Sequence, residues 1–225
     1  MNKAKIIKDL LNKEILDKDA LSFLLQTDKT HANLIFEKAA EIKQQYVGNT
    51  TYLRGLIELS NICRKNCLYC GIRKGNTSVE RYNLTDEAVI EAAKYAYEKN
   101  YASIVIQSGE LGNEKFTKRI TRLLKKINAA TNHELGITLS MGEQSEAVFK
   151  EWKANNVSRY LLRIESSDKE LYNSIHPNDE THSFENRIKA LRSLQNLGYQ
   201  TGTGVMIGLP GQTYEHLAGD LLFFQ

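Results

Sequence analysis

The chain has 225 residues, of which 41% are hydrophobic and 25% are charged, and its formal net charge is +3. This composition can bury a hydrophobic core and leaves an ordinary soluble surface. Basic residues are spread along the chain, no apolar run reaches the length of a membrane span, and the first residues do not resemble a secretory signal. We therefore expect neither a nucleic-acid partner nor a membrane location.

The first 50 residues predict a helical extension. Ile6, Ile7, Leu10 and Leu11 share one helical face, and Asp19 lies at the start of a second helical pattern. A third pattern runs from about residue 31 to residue 47. We interpret residues 1–50 as an N-terminal helical extension and residues 51–225 as a second domain.

Strand and helix patterns alternate after this extension. The strand patterns cover residues 52–59, 103–108, 135–141, 157–165 and 200–207. The helical patterns cover residues 85–100, 114–131, 144–155, 184–197 and 213–224. Thr85 is placed to cap the first of these helices and Gly198 to end the fourth. Five successive β/α units predict a parallel sheet with right-handed crossovers.

The strand faces favour a barrel over a doubly wound sheet. In the fourth strand Arg159, Arg163 and Glu165 share one face, whereas a sheet covered on both sides reads as a nearly continuous hydrophobic run. A polar inner face is typical of a barrel that carries an active site. We therefore predict an α/β fold, a partial (β/α) TIM-type barrel. Eight units need about 100 further residues, so we expect a C-terminally truncated chain.

All three cysteines of the chain, Cys63, Cys67 and Cys70, lie in the loop after the first strand. An odd, clustered number argues against a disulfide framework and for a reducing compartment, so we expect a cytoplasmic protein. Three thiolates are one too few for a closed tetrahedral zinc site, and no histidine is local. They suit a 4Fe-4S cluster with one open iron, although zinc with a distant fourth ligand stays an alternative.

The spacing C-x3-C-x-aromatic-C, with Tyr69 before the last cysteine, resembles the signature of the radical S-adenosylmethionine (SAM) superfamily. The resemblance implies that Cys63, Cys67 and Cys70 ligate a 4Fe-4S cluster whose fourth iron is chelated by SAM. It also implies an enzyme that cleaves SAM reductively to a 5′-deoxyadenosyl radical.

Further segments resemble the SAM-binding elements of that superfamily. Gln107–Glu110 resembles its "GGE" element with Ser108 in place of the first glycine, and implies that Glu110 receives the SAM ammonium group. By the same resemblance Glu165 binds the ribose or amino group and Arg187 the carboxylate, with Met206 packing beside the adenine. A simple βα turn at residues 107–110 and a structural ion pair of Glu165 and Arg187 are the alternatives.

Within the superfamily, five segments resemble the HydE family of FeFe-hydrogenase maturases, in the biotin synthase-like branch. They are residues 61–71, 107–110, 159–163, 183–187 and 208–213. The resemblance implies a small anionic substrate, a cysteine-derived iron complex, held by Thr138, Ser140 and Arg163. An internal polar network is the alternative role for these three residues. An electron donor such as a reduced ferredoxin or flavodoxin and other hydrogenase maturases are the implied partners.

Three other functions remain open. Biotin synthase shares the barrel but needs a second cluster, and no cysteine follows Cys70. Methylornithine synthase also lacks a second cluster and binds an amino acid. A non-catalytic iron–sulfur cluster carrier or scaffold would hold the cluster without cleaving SAM.

Overall fold

The computed structural model describes residues 2–225. The helices expected at the N-terminus are present as α1 (Lys3–Leu11), α2 (Lys18–Leu25) and α3 (Ala32–Tyr46). The Asp17 carboxylate caps α2 by accepting the amide hydrogen of Ala20 at 2.8 Å, because the first amides of a helix have no partner within it.

Five parallel strands form one sheet in the order β1-β2-β3-β4-β5, as the alternating pattern predicts. They are β1 (Gly55–Ser60), β2 (Ser103–Ser108), β3 (Gly136–Ser140), β4 (Val157–Leu161) and β5 (Gln200–Gly202). Neighbouring strands in space are also neighbours in sequence, which is the connectivity of a partial TIM-type barrel.

Helices connect the strands: α4 (Asp86–Glu98), α5 (Glu114–Ala130), α6 (Glu146–Ala154), α7 (Lys169–Ser174) and α8 (Phe184–Asn196), with α9 (Tyr214–Phe223) after β5. The Thr85 hydroxyl caps α4 by accepting the Ala88 amide hydrogen at 3.2 Å. Gly198, with a φ of +73°, lies just beyond the end of α8. Both helix-boundary predictions are confirmed.

The two faces of the strands differ in polarity, as expected. In β3, Ile137 and Leu139 are buried apolar residues on one face, while Thr138 and Ser140 share the other. In β4 and the residues after it, Tyr160, Leu162 and Ile164 are buried, whereas Arg163 is exposed. Polar side chains therefore follow the inner face toward the carboxyl ends of the strands, where barrel enzymes carry their active sites.

Four of the five strands are shorter than the sequence predicts, β4 and β5 by the most residues. β4 ends at Leu161 because the following backbone pairs irregularly: the Ile164 amide donates to the Thr203 hydroxyl, and the Glu165 amide donates to the Gly204 carbonyl. Glu165 itself has a φ of +67°, which no strand residue adopts. Helix α7 was not predicted, because its six residues are too few to show a helical period.

The chain divides into two compact units. One contains the N-terminal residues through Tyr52 together with Ser166–Leu171 and Val205–Gln225, and the other contains Leu53–Glu165 and Tyr172–Gly204 with the whole sheet. The domain boundary near residue 50 stays a prediction. None of the helices among residues 2–225 is long and apolar enough to cross a membrane.

We expect Leu124→Ala in α5 to lower the free energy of unfolding by about 2–5 kcal/mol, because this side chain is fully buried and its removal leaves a cavity. Leu53→Ala is the matched control: Leu53 is 73% exposed, and its loss should cost less than about 0.5 kcal/mol. Urea denaturation followed by circular dichroism measures both. Equal effects would contradict the burial of α5 in the core.

Candidate active site

The three cysteines lie in the loop that follows β1, and all three are half-buried free thiols. Burial raises the pKa values of the Cys63 and Cys67 thiols above the ordinary value of 9.0. Among residues 2–225 no group of three His, Cys, Asp or Glu side chains is arranged to hold a single metal ion. This finding does not bear on a cubane, in which each thiolate binds a different iron atom.

The end of β2 lies directly against the cysteine loop. The Glu110 amide donates a hydrogen bond to the Cys63 sulfur at 3.3 Å, and the Arg64 amide donates to the Glu110 carbonyl at 2.9 Å. Gly109 allows this approach, because a Cβ atom there would lie 2.4 Å from the Ile62 carbonyl oxygen. An amide aimed at a sulfur is one of the interactions that set the reduction potential of an iron–sulfur cluster.

Arg81 binds the backbone on both sides of the three cysteines. Its guanidinium donates hydrogen bonds to four backbone carbonyls, those of Asn61, Ile72, Arg73 and Asn76, at 2.6–3.0 Å. Only arginine carries enough donors in a rigid plane to bind four carbonyls together. The residues before Cys63 and after Cys70 are thereby held by one side chain.

Glu110 is buried and paired with cations of the cysteine loop. Its Oε1 accepts hydrogen bonds from Arg64 Nε at 3.1 Å and Nη2 at 2.8 Å, and Lys65 Nζ lies 3.6 Å away. Its Oε2 accepts the Glu143 amide hydrogen at 2.9 Å. The carboxylate predicted to receive the SAM ammonium is therefore next to the cysteines.

Glu143, which the sequence analysis missed, joins two buried cations. Its Oε1 lies 3.0 Å from Lys65 Nζ and 2.6 Å from Arg187 Nε. Burial alone would raise the pKa of this carboxyl group, but Arg187 and Lys65 hold it below the ordinary value of 4.5. One feature of the sequence could have identified Glu143. It follows the third strand, at the edge of the sheet where Glu110 and Glu165 were expected.

The other two predicted SAM ligands also lie in ion pairs. Arg187 is 5% exposed, and besides Glu143 it donates to the Arg163 carbonyl oxygen. Glu165 is 6% exposed and accepts hydrogen bonds from Arg163 Nε at 3.1 and 3.2 Å. Its left-handed backbone is uncommon for a glutamate, and such strain concentrates at functional sites.

The remaining predicted residues have varied surroundings. Tyr69 lies edge-on to His176, with ring centroids 5.4 Å apart. Gln107 is exposed, while the Ser108 hydroxyl donates to the Gly109 carbonyl at 2.8 Å. Met206 is half-buried in the unit that includes Val205–Gln225. The roles of these residues in SAM binding stay predictions.

Thr138 and Ser140 lie on the same face of β3. The Thr138 hydroxyl is buried and has no hydrogen-bond partner among residues 2–225. An internal polar network would satisfy such a group, so the orphaned hydroxyl leaves a donor and an acceptor for a bound molecule.

The comparisons with known proteins agree with this geometry. Residues 57–224 match the family model described as the radical SAM superfamily. The "[FeFe] hydrogenase maturase subunit HydE" of Thermotoga maritima is 40% identical over 223 residues, which are 98% of this chain and 60% of that protein. The biotin synthase of Rhodopirellula baltica is 28% identical over 89% of this chain and 57% of its own length.

A solved structure shows the same fold. The FeFe-hydrogenase maturase HydG from Carboxydothermus hydrogenoformans superposes with a TM-score of 0.86 at 24% identity, over 97% of this chain and 51% of that one. The chain belongs to the radical SAM superfamily, whose enzymes use a 4Fe-4S cluster and SAM. It spans 60% of the length of the HydE relative.

The cysteine loop fits a 4Fe-4S cluster. Three thiols share it, the Glu110 amide is aimed at one sulfur, and the cationic Arg64 and Lys65 follow Cys63 directly in the loop. A cluster bound by three thiolates is an anionic group, and these donors would stabilise it.

We expect Gly109→Ala to prevent cluster assembly, because the new methyl group would collide with the Ile62 carbonyl and with Cys63 Cβ, 2.9 Å away. Gly71→Ala is the matched control, since it follows Cys70 directly and nothing lies within 4 Å of its Cβ position. Iron and sulfide per chain after anaerobic reconstitution measure both. Full cluster content in Gly109→Ala would contradict the close packing of β2 on the loop.

We expect Glu143→Gln to destabilise the protein at neutral pH by about 3–5 kcal/mol, because it leaves two buried cations without their shared anion. The Glu143 pKa is lower in the folded protein, so its stabilisation is complete above the unfolded value, near 4.5, and is lost as the pH falls through the folded value. Urea denaturation between about pH 3 and 8 should show the two proteins converging below pH 4.5. A difference that persists unchanged at pH 3 would exclude the ionised carboxylate as its cause.

Proposed function

We propose that this chain is the catalytic barrel of a radical SAM enzyme that acts in the assembly of the FeFe-hydrogenase active site. Cys63, Cys67 and Cys70 ligate the 4Fe-4S cluster, and the substrate is a small cysteine-derived iron complex. When bound, the cluster and SAM supply the reductive cleavage of SAM to a 5′-deoxyadenosyl radical.

One observation carries the proposal: the cysteine loop is joined by direct contacts to the predicted SAM ligands. The backbone amide of Glu110 donates a hydrogen bond to the Cys63 sulfur. Lys65 of the loop and Arg187 both contact the Glu143 carboxylate. A carboxylate and a guanidinium beside an open iron are the groups that the ammonium and carboxylate of SAM need. Because these groups are already ordered, SAM binding requires an exchange of partners rather than folding of the site.

Arg163, Thr138 and Ser140 are proposed to bind the substrate. Arg163 supplies a cation to an anionic, cysteine-derived molecule, and its pairing with Glu165 places it beside a proposed SAM ligand. The unpartnered Thr138 hydroxyl and the neighbouring Ser140 supply hydrogen bonds. The substrate would thus lie over the inner face of β3 and β4.

The identity values favour a maturase over the other enzymes of this branch, because the HydE relative is 40% identical and the biotin synthase 28%. We propose a cytoplasmic protein that receives electrons from a reduced ferredoxin or flavodoxin and works with other hydrogenase maturases. A non-catalytic cluster carrier is disfavoured by the ordered carboxylates and arginines beside the cysteines, which a carrier does not need.

Anaerobic reconstitution tests the proposal, with iron and sulfide counted and the EPR spectrum of the reduced protein recorded at increasing SAM. The wild-type chain should show a cubane signal that SAM changes, and Cys67→Ala should lose it. Arg187→Lys keeps a cation beside Glu143 but lacks the planar fork. It should retain full iron and require about ten- to a hundredfold more SAM for the spectral change.

The possible contrary results are distinct. Zinc without sulfide in the wild-type chain would show that the cysteines form a structural metal site and do not bind a cluster. A cubane signal indifferent to SAM would identify a carrier. Loss of iron in Arg187→Lys would make Arg187 a structural residue and leave the SAM carboxylate without its proposed ligand.

A further inference from the structure

We propose that Asp179 and His182 form a positioning pair that fixes the cysteine loop through the backbone amide of Asn66. This inference deepens the proposed function and rests on it, because it takes the loop to be the cluster-binding segment. Neither residue belongs to the cysteine motif or to the SAM-binding segments that the sequence analysis identified.

The imidazole of His182 connects an aspartate to the loop. The side chain is 3% exposed; its Nδ1 lies 2.7 Å from Asp179 Oδ1, and its Nε2 accepts the Asn66 amide hydrogen at 2.9 Å. Because a backbone amide only donates, Nε2 must be the unprotonated nitrogen. Nδ1 therefore carries the hydrogen and donates it to Asp179, so the aspartate selects the tautomer that can hold the loop.

Asn66 lies in the loop between Cys63 and Cys67 and directly precedes Cys67. While its amide is bound by His182, its side-chain Oδ1 accepts the Gly75 amide hydrogen at 3.0 Å. The residue is therefore held from two sides, and the backbone that separates the first two thiols cannot shift freely. The spacing of these thiols determines whether both reach their irons.

Ile175 and His176, a few residues before Asp179, support the loop at two further points. The Leu68 amide donates to the Ile175 carbonyl at 3.0 Å, and the Tyr69 hydroxyl lies 3.4 Å from His176 Nε2. Of these contacts, the one to Asn66 comes from an imidazole whose orientation is fixed by a carboxylate. His182 is thus the side chain whose removal should loosen the loop most.

A purely structural role for His182 makes a different prediction. Asp179 Oδ1 also accepts the amide hydrogens of Thr181, at 2.9 Å, and of His182, at 3.1 Å, so the short turn before α8 is held without the imidazole. Glutamine places a carbonyl oxygen near the position of Nε2 and can accept the Asn66 hydrogen, whereas alanine cannot. Rescue by His182→Gln therefore separates positioning from general packing.

The experiment compares wild type, His182→Ala and His182→Gln. Amide hydrogen exchange at Asn66 is measured in the protein before cluster loading, and the rate of iron loss to a chelator is measured after anaerobic reconstitution. We expect His182→Ala to raise both rates about tenfold, the effect of losing one hydrogen bond, and His182→Gln to restore both to near wild type. His31→Ala is the matched control, since it removes a similar histidine–aspartate contact, with Asp28. This contact lies outside the compact unit that contains the sheet.

Unchanged exchange at Asn66 in His182→Ala would overturn the proposal, as would a glutamine variant no better than alanine. Faster exchange with unchanged iron loss would also overturn it, because the contact would then not act on the cluster. Failure of the wild-type chain to take up any cluster would refute the proposed function and would remove the cluster on which the pair is proposed to act. The exchange measurement still shows in that case whether His182 holds the loop.

Discussion

The site depends on one buried carboxylate shared by two buried cations. Lys65 and Arg187 are 3% and 5% exposed, and both contact Glu143. A buried cation without an anion is strongly destabilising, and this glutamate is the nearer carboxylate of Lys65 and pairs with Arg187. Because Lys65 belongs to the cysteine loop and Arg187 to α8, the same pairing that satisfies the charges also sets the distance between the two segments.

The parallel sheet explains how so many charged groups meet. A cysteine loop follows β1, and a glutamate follows each of the next three strands within four residues: Glu110 after β2, Glu143 after β3 and Glu165 after β4. Strands that run in the same direction end at the same edge, so residues separated by up to a hundred positions become neighbours. The loop cations Arg64 and Lys65 then balance the charges of Glu110 and Glu143.

The sequence predicted the elements better than the contacts between them. The strand at 103–108 was predicted at its observed limits because its apolar run is bounded by polar residues, whereas β4 was predicted four residues too long because the left-handed backbone of Glu165 has no sequence signature. The cysteines follow from their spacing alone. Glu143 and His182 were not predicted, because a pairing between residues forty or more positions apart leaves no local pattern.

The contacts of the cysteine loop have a consequence for the order in which the protein can mature. The loop is complete by residue 70, but the groups that hold it include Arg81, Glu110, Glu143 and His182, which follow later in the chain. On a growing chain the thiols are therefore exposed and unsupported until most of the sheet has been synthesised and has folded. Pairings of such long sequence separation form slowly, which favours insertion of iron and sulfide into a folded barrel rather than into a nascent chain.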